Sequence, residues 1–193
     1  MTKIFLCIIF AAILFDSCKK AADIANNNNN NSGYYLTANV NGESWNANVN
    51  SSLNNSPAIA ASTYVNGVNV VMLLGIKAVN KDSSAIAILF PKNTVLNQSL
   101  SFDATKYSEG AYVSEISSGS GTYYGYNTVP STGGSASFTI TTFDETAMTI
   151  EGTFSGTFGS QNGRPAVSIT NGKFRCVYTT NVSQLPKSGG VKF

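Results

Sequence analysis

The stretch Met148-Thr-Ile-Glu-Gly-Thr-Phe-Ser-Gly-Thr-Phe158 decides the fold class. Met148, Ile150, Phe154 and Phe158 share one side of a two-residue period with Gly152 and Gly156, while Thr153, Ser155 and Thr157 take the other. Successive side chains of a strand point to opposite faces, so this segment reads as a strand with one face on a core and one in water. Glycine alternating with large residues on the inner face implies a strongly curved strand. Phe138 and Ile140 join that face if Asp144-Glu145-Thr146 makes a three-residue hairpin loop.

The same period runs outward from Tyr34. Asn-Gly pairs at Asn41, Asn66, Asn162 and Asn171 supply the two positive-φ residues of a tight hairpin turn. A two-residue turn at Asn41-Gly42 sets Ala38 opposite Trp45, Leu36 opposite Ala47 and Tyr34 opposite Val49. At Asn66-Gly67, Val65 meets Val68, Ala61 meets Met72 and Ile59 meets Leu74. At Asn162-Gly163, Phe158 meets Val167. At Asn171-Gly172, Ile169 meets Phe174 and Val167 meets Cys176. Each turn joins apolar partners, which fixes register. Further strands are expected near Ala85–Phe90, Ala111–Ile116 and Thr122–Tyr126. The total of about ten or eleven antiparallel strands predicts an all-β sandwich or flattened barrel over residues 34–193.

Composition narrows the chemistry. The 193 residues carry 12 Lys and Arg, 10 Asp and Glu, and no histidine. Asn, Ser and Thr number 22, 24 and 18, a third of the chain. A net charge of +2 gives no field that implies nucleic acid. Without histidine there is no His-dependent triad, no HExxH zinc site and no ordinary pH switch. No metal or cofactor motif is present, so none is expected.

The first residues read as an address. After Met1-Thr2-Lys3, the twelve residues Ile4–Phe15 have no polar side chain. That is short of the roughly 20 apolar residues that span a bilayer and fits the core of a secretory signal over 1–17. Phe15-Asp16-Ser17-Cys18-Lys19-Lys20 resembles the lipobox of bacterial lipoproteins, which implies that Cys18 carries lipid and anchors the protein to a membrane. Residues 18–33 then form a flexible tether, centred on six asparagines at Asn26–Asn31. No acidic run follows Cys18, and Lys19-Lys20 differ from an inner-membrane retention signal. The expected place is therefore the outer membrane, facing the periplasm. With Cys7 removed and Cys18 acylated, Cys176 is left without a disulfide partner.

Val40-Asn-Gly-Glu-Ser-Trp-Asn-Ala47 near the start, with Gly152-Thr-Phe154 and Ile169-Thr-Asn-Gly-Lys-Phe174 near the end, resembles small Bacteroidota lipoproteins carrying an all-β domain of unknown function. The resemblance spans most of residues 34–180. It implies a compact all-β fold in the cell envelope and brings no catalytic residue.

The candidate chemistry is sparse. Trp45 and Cys176 fall on apolar faces and read as core; a buried thiol is a poor nucleophile. Arg175 faces outward, as a strand arginine that discourages edge pairing would. Asp103 with Glu109, or Glu115 with Glu151, could form the paired carboxylates of a glycoside hydrolase if they met in a cleft. Asp144-Glu145 reads as a hairpin loop and Gly119-Ser-Gly-Thr-Tyr-Tyr-Gly125 as a turn. Tyr107, Tyr112, Tyr123, Tyr124 and Tyr126 stand among Ser and Gly; they suit either cross-strand pairing or an adaptable binding face. Tyr123, Tyr124 and Tyr126 are the candidate ligand contacts. The expected function is a non-enzymatic binding or accessory module whose partner is an envelope protein or glycan. A small-ligand or lipid carrier with a barrel interior and a carboxylate hydrolase are the alternatives.

Overall fold

The computed structural model describes residues 33–51, 53–79, 82–115, 123–160 and 162–181. The signal, Cys18, the asparagine run and the start of the Gly119–Gly125 stretch lie outside them. Eleven strands follow in chain order: β1 (Tyr35–Val40), β2 (Glu43–Asn46), β3 (Ala58–Val65), β4 (Val68–Val79), β5 (Asp82–Pro91), β6 (Leu100–Ser101), β7 (Glu109–Glu115), β8 (Tyr123–Asn127), β9 (Ser135–Asp144), β10 (Thr149–Ser160) and β11 (Val167–Thr179). They form one sheet in the order β2-β1-β11-β3-β4-β5-β7-β8-β10-β9-β6, and β10 also pairs with β11. This extra pairing closes the path from β11 through β3, β4, β5, β7, β8 and β10 back to β11. The all-β fold is therefore barrel-like.

β11 reaches three neighbours because it is 13 residues long. β10 runs along one edge, and β1 and then β3 share the other. The described pairings are antiparallel except β11 with β3, which run parallel. No hairpin joins those two strands, so the expected antiparallel rule does not bind them. Being central, β11 also corrects the role expected of Arg175. It guards no edge; its guanidinium lies 3.5 Å from Glu151 on the neighbouring strand.

Two of the Asn-Gly turns form as the sequence predicts. Asn41 and Gly42 have φ of 51° and 86°, and Asn66 and Gly67 have 49° and 81°. Ala38 pairs with Trp45, and Val65, Ala61 and Ile59 pair with Val68, Met72 and Leu74. Ala47 N–H still donates to the Leu36 carbonyl at 2.9 Å. The expected Tyr34–Val49 pair does not follow. Asn48 and Val49 donate instead to the Ile76 carbonyl, because β4 runs past the start of β3 and leaves an open edge there. Phe158 meets Val167 as expected, across a longer connection than a two-residue turn.

The fourth Asn-Gly pair is no hairpin. Asn171 has φ 53°, but Gly172 stays out of the left-handed region, and β11 continues through both. From Thr37 to Asn39 on β1 the partner strand advances from Lys173 to Thr170, and β10 shows the same shift between Phe154 and Gly156. This is a β-bulge with one extra residue in β11. It changes the parity of the strand, so Val167 and Ile169 point inward on one side of it and Phe174, Cys176 and Tyr178 on the other.

A second bulge corrects the β9–β10 hairpin. Its loop holds residues 145–148, one more than expected, with Met148 (φ 54°) ending the loop rather than opening the strand. The Asp144 carboxylate accepts from the N–H groups of Thr146 and Ala147 at 2.8 Å each. The extra residue Thr141 between Ile140↔Gly152 and Thr142↔Glu151 absorbs the difference. Phe138 and Ile140 therefore still face inward with Phe154.

The interior is filled. The β1–β2 hairpin places Leu36, Ala38, Trp45 and Ala47 against Val71, Leu73, Ile86, Ile88 and Phe90, and the far wall contributes Phe138, Phe154, Phe158, Phe174 and Tyr178. All are buried. Gly75 makes room for the hairpin: a Cβ there would press on Leu36 and Ala47 at 3.1 Å. A second buried cluster, including Ile59, Val70, Leu74, Ala87, Leu89 and Val113, lies on the opposite face of β3, β4, β5 and β7, with Tyr34, Val49, Leu53 and Tyr107 packed against it. These strands are apolar on both faces, as Ala58–Ala61 and Ala85–Phe90 read in the sequence.

Candidate functional site

Each candidate can now be placed. Trp45 is 3% exposed, and its indole N–H donates to the Ser84 hydroxyl at 2.7 Å. Tyr126 is buried and lies beside Tyr112, ring centroids 5.9 Å apart. Tyr124 is half-buried beneath the Arg164 guanidinium, 3.5 Å from its ring centroid. Tyr123 belongs to β8 next to Glu115; its side chain lies outside the described residues. The three tyrosines thus do not make one exposed face. Alternation sends Tyr124 and Tyr126 toward the barrel, and cross-strand pairing accounts for Tyr126.

Of the expected carboxylate pairs, Asp103 stands in a bridge with Ser108, the neighbour of Glu109, and the side chain of Glu115 lies outside the described residues. Asp103 caps a short 3-10 turn over Ala104–Lys106, accepting from Thr105 N–H at 2.9 Å. Glu109 is buried in β7. Glu151 faces Arg175, and Glu145 pairs with Lys92 at 2.8 Å. Lys92 also lies 5.9 Å from the ring centres of Phe143 and Tyr178. Its pKa is raised, chiefly by the Glu145 hydrogen bond.

Cys176 is fully buried, and burial pushes its thiol pKa well above 9.0. The fold therefore favours the protonated thiol. This contribution is fully present below the unfolded pKa and is lost as pH rises through the folded value. At pH 8 the native protein is expected to leave Cys176 unlabelled by iodoacetamide and to label it once unfolded in urea. Prompt labelling of the native protein would contradict this packing.

The feature that the sequence reading missed is the end of the barrel nearest the β4–β5 junction. Lys77 pairs with Ser84, Ser84 with Ser114, and Ser114 with Tyr124. These four form a continuous cross-strand row on the inward parity of β4, β5, β7 and β8. One step deeper, the next row is Gly75, Ile86, Tyr112 and Tyr126. The interior thus changes from apolar to polar within one layer. Each strand carries only its own part of the pattern: Lys77 follows Val71, Leu73 and Gly75 at period two, and Ser84 precedes Ile86, Ile88 and Phe90.

A cavity of about 270 Å³ opens at this mouth, lined by Glu43, Ser44 and Trp45 of the first hairpin, and by Lys77, Ser84, Tyr112 and Ser114 of the barrel wall. Lys77 donates to the Ser44 carbonyl at 3.1 Å and ties the hairpin to β4. Tyr112 is half-buried between these serine hydroxyls and the Tyr126 ring, and burial raises its pKa. A second concavity, about 330 Å³, lies along the hydroxyl-bearing face of β9 and β10, with Ser137, Thr139, Thr153, Ser155 and Lys173 on its walls. Alternation alone puts hydroxyls there. At the mouth, by contrast, polar side chains occupy inward positions, where core residues would otherwise stand.

No family model matches the chain, and neither a curated protein nor a solved structure matches it. The mouth must therefore be read from its own chemistry. It brings an indole floor, a tyrosine wall, Val40 and Val79, serine hydroxyls and one charge of each sign into a space that suits a small amphipathic ligand. No group of three or more His, Cys, Asp or Glu among the described residues is placed to hold a metal.

Proposed function

We propose that this protein is an envelope lipoprotein, anchored by lipid on Cys18 to the outer membrane and facing the periplasm, that works as a non-enzymatic binding module. Its binding end is the mouth at Trp45, Lys77, Ser84, Tyr112 and Ser114. The observation that carries this reading is the polar row set inward at the end of an otherwise apolar barrel. The tight interior supports a binding module over a carrier, because a carrier needs an apolar cavity of roughly 300 Å³ or more inside the barrel.

The anchor has a direct test. Cys18→Ser is expected to abolish incorporation of a radiolabelled fatty acid and to leave unprocessed precursor. Protease added to intact cells is expected to spare the wild-type domain until the outer membrane is permeabilised. Unchanged labelling in the Cys18→Ser protein would overturn the anchor, and digestion in intact cells would overturn the periplasmic orientation.

A further inference from the structure

We infer that the mouth takes one neutral, polyhydroxylated ring, the terminal sugar residue of a glycan. This rests on the mouth being the binding end and goes further by naming what enters it.

Three observations converge. The first is size. About 270 Å³ falls just below the roughly 300–1,000 Å³ of pockets that hold drug-sized ligands, so the space suits a single small ring with the rest of the chain outside.

The second is polarity. Ser44, Ser84, Ser114 and Tyr112 supply hydroxyls, which both donate and accept, as the hydroxyls of a sugar do. Glu43 adds an acceptor and Lys77 a donor of opposite charge, so the lining has no net sign with which to select an ion. Val40 and Val79 line the same space, so the mouth joins apolar surface to hydroxyls, as the carbon faces and hydroxyl edges of a sugar ring do.

The third is rigidity. Trp45 is nearly buried, with its N–H committed to Ser84. The Tyr112 ring is held against Tyr126, their centroids 5.9 Å apart, and Lys77 holds the hairpin through the Ser44 carbonyl. The walls are set before a ligand arrives, so little ordering opposes binding. Tyr112, half-buried, offers the aromatic surface against which the carbon face of a sugar ring packs.

Trp45 is also the one tryptophan of the chain, which makes the site its own reporter. The experiment titrates the lipidated full-length protein, in a detergent without sugar, with the methyl glycosides of glucose, galactose, mannose and N-acetylglucosamine, reading tryptophan emission and calorimetric heat. At least one glycoside is expected to give saturable changes with Kd on the order of 1 mM, typical of a single small ring held by a few hydrogen bonds. Ser114→Ala and Tyr112→Phe each remove one hydroxyl and are expected to weaken binding about threefold to tenfold, measured at a temperature where thermal unfolding shows both variants fully folded. The same titration is run with decanoate and with a mixed hexapeptide pool. If one of these saturates the Trp45 signal while the glycosides do not, the sugar is overturned and the mouth stands as a binding end. If no probe changes it, both fall. Binding of a glycoside that both variants leave intact places the sugar elsewhere and also overturns the inference.

Discussion

Gly152→Ala is expected to be among the most destabilising single-methyl additions in this protein. Gly152 sits on β10 between Ile140 and Phe174, and a Cβ there would fall onto the Thr139 carbonyl and the Phe174 ring. Its backbone is in the ordinary extended region, so the demand is for space and not for unusual φ. Ring and glycine exchange roles across the pair: Phe174 lies on Gly152, and Phe154 lies on Gly172. A side chain can rotate away from an added methyl, whereas a carbonyl in the β9–β10 ladder moves only with its strand. Overpacking typically costs 1–3 kcal/mol, and the rigid partner puts this case at about 3 kcal/mol or more. For a domain of this size that lowers Tm by roughly 6–12 °C. Thr153→Ala, one residue on and facing water, is expected to stay within about 0.5 kcal/mol. Thermal unfolding followed by circular dichroism compares the two. Equal Tm values for Gly152→Ala and wild type would contradict the packing of Phe174 on β10.

Trp45→Ala carries a comparable loss through the opposite mechanism. The indole comes from a strand of only four residues, Glu43–Asn46, whose hold on the barrel rests on what Trp45 buries. Truncating a buried tryptophan costs about 3–5 kcal/mol through lost transfer free energy and the void left behind. The hairpin should loosen with it, exposing Leu36 and opening the mouth. Trp45→Phe retains much of the packing and loses the bond to Ser84, for an expected cost of about 1–2 kcal/mol. A cycle of Trp45→Phe with Ser84→Ala should return a coupling near 1 kcal/mol, measured by urea unfolding. A coupling of zero would deny that the indole N–H and the Ser84 hydroxyl support each other.

How far the sequence reaches is clearest at the two bulges. Ile169 and Phe174 face inward whether Asn171-Gly172 reverses the chain or adds one residue to a continuing strand, because both change parity by one. Periodicity cannot separate them. Neighbours on both edges of β11 decide, and those come from β1 and β10, far away in the chain. Asn41-Gly42 and Asn66-Gly67 were legible because each joins strands that pair locally. The parallel contact of β11 with β3 leaves no local trace for the same reason.

The candidate site shows a similar division. Trp45 was readable as core because it faces Ala38 on the apolar side of its hairpin, whereas Tyr126, expected as a ligand contact, is buried beside Tyr112. The mouth was not readable, since Lys77, Ser84, Ser114 and Tyr124 belong to four strands and become neighbours only when the barrel closes. Lys77, Ser84 and Ser114 each looked like an isolated polar residue near a strand end, and Tyr124 like one of a tyrosine cluster. Only the shared inward parity, counted across strands in register, makes them a row.

The measurement that bears most directly on the account is a map of backbone amide chemical shifts for the lipidated full-length protein, recorded with and without the methyl glycoside that binds best. Shifts are predicted at Ser44, Trp45, Lys77, Ser84, Tyr112 and Ser114, with the face of Ser137, Thr153 and Ser155 unmoved. Shifts centred on that outer face, or none at any residue, would contradict the assignment of the barrel mouth as the place where this protein binds.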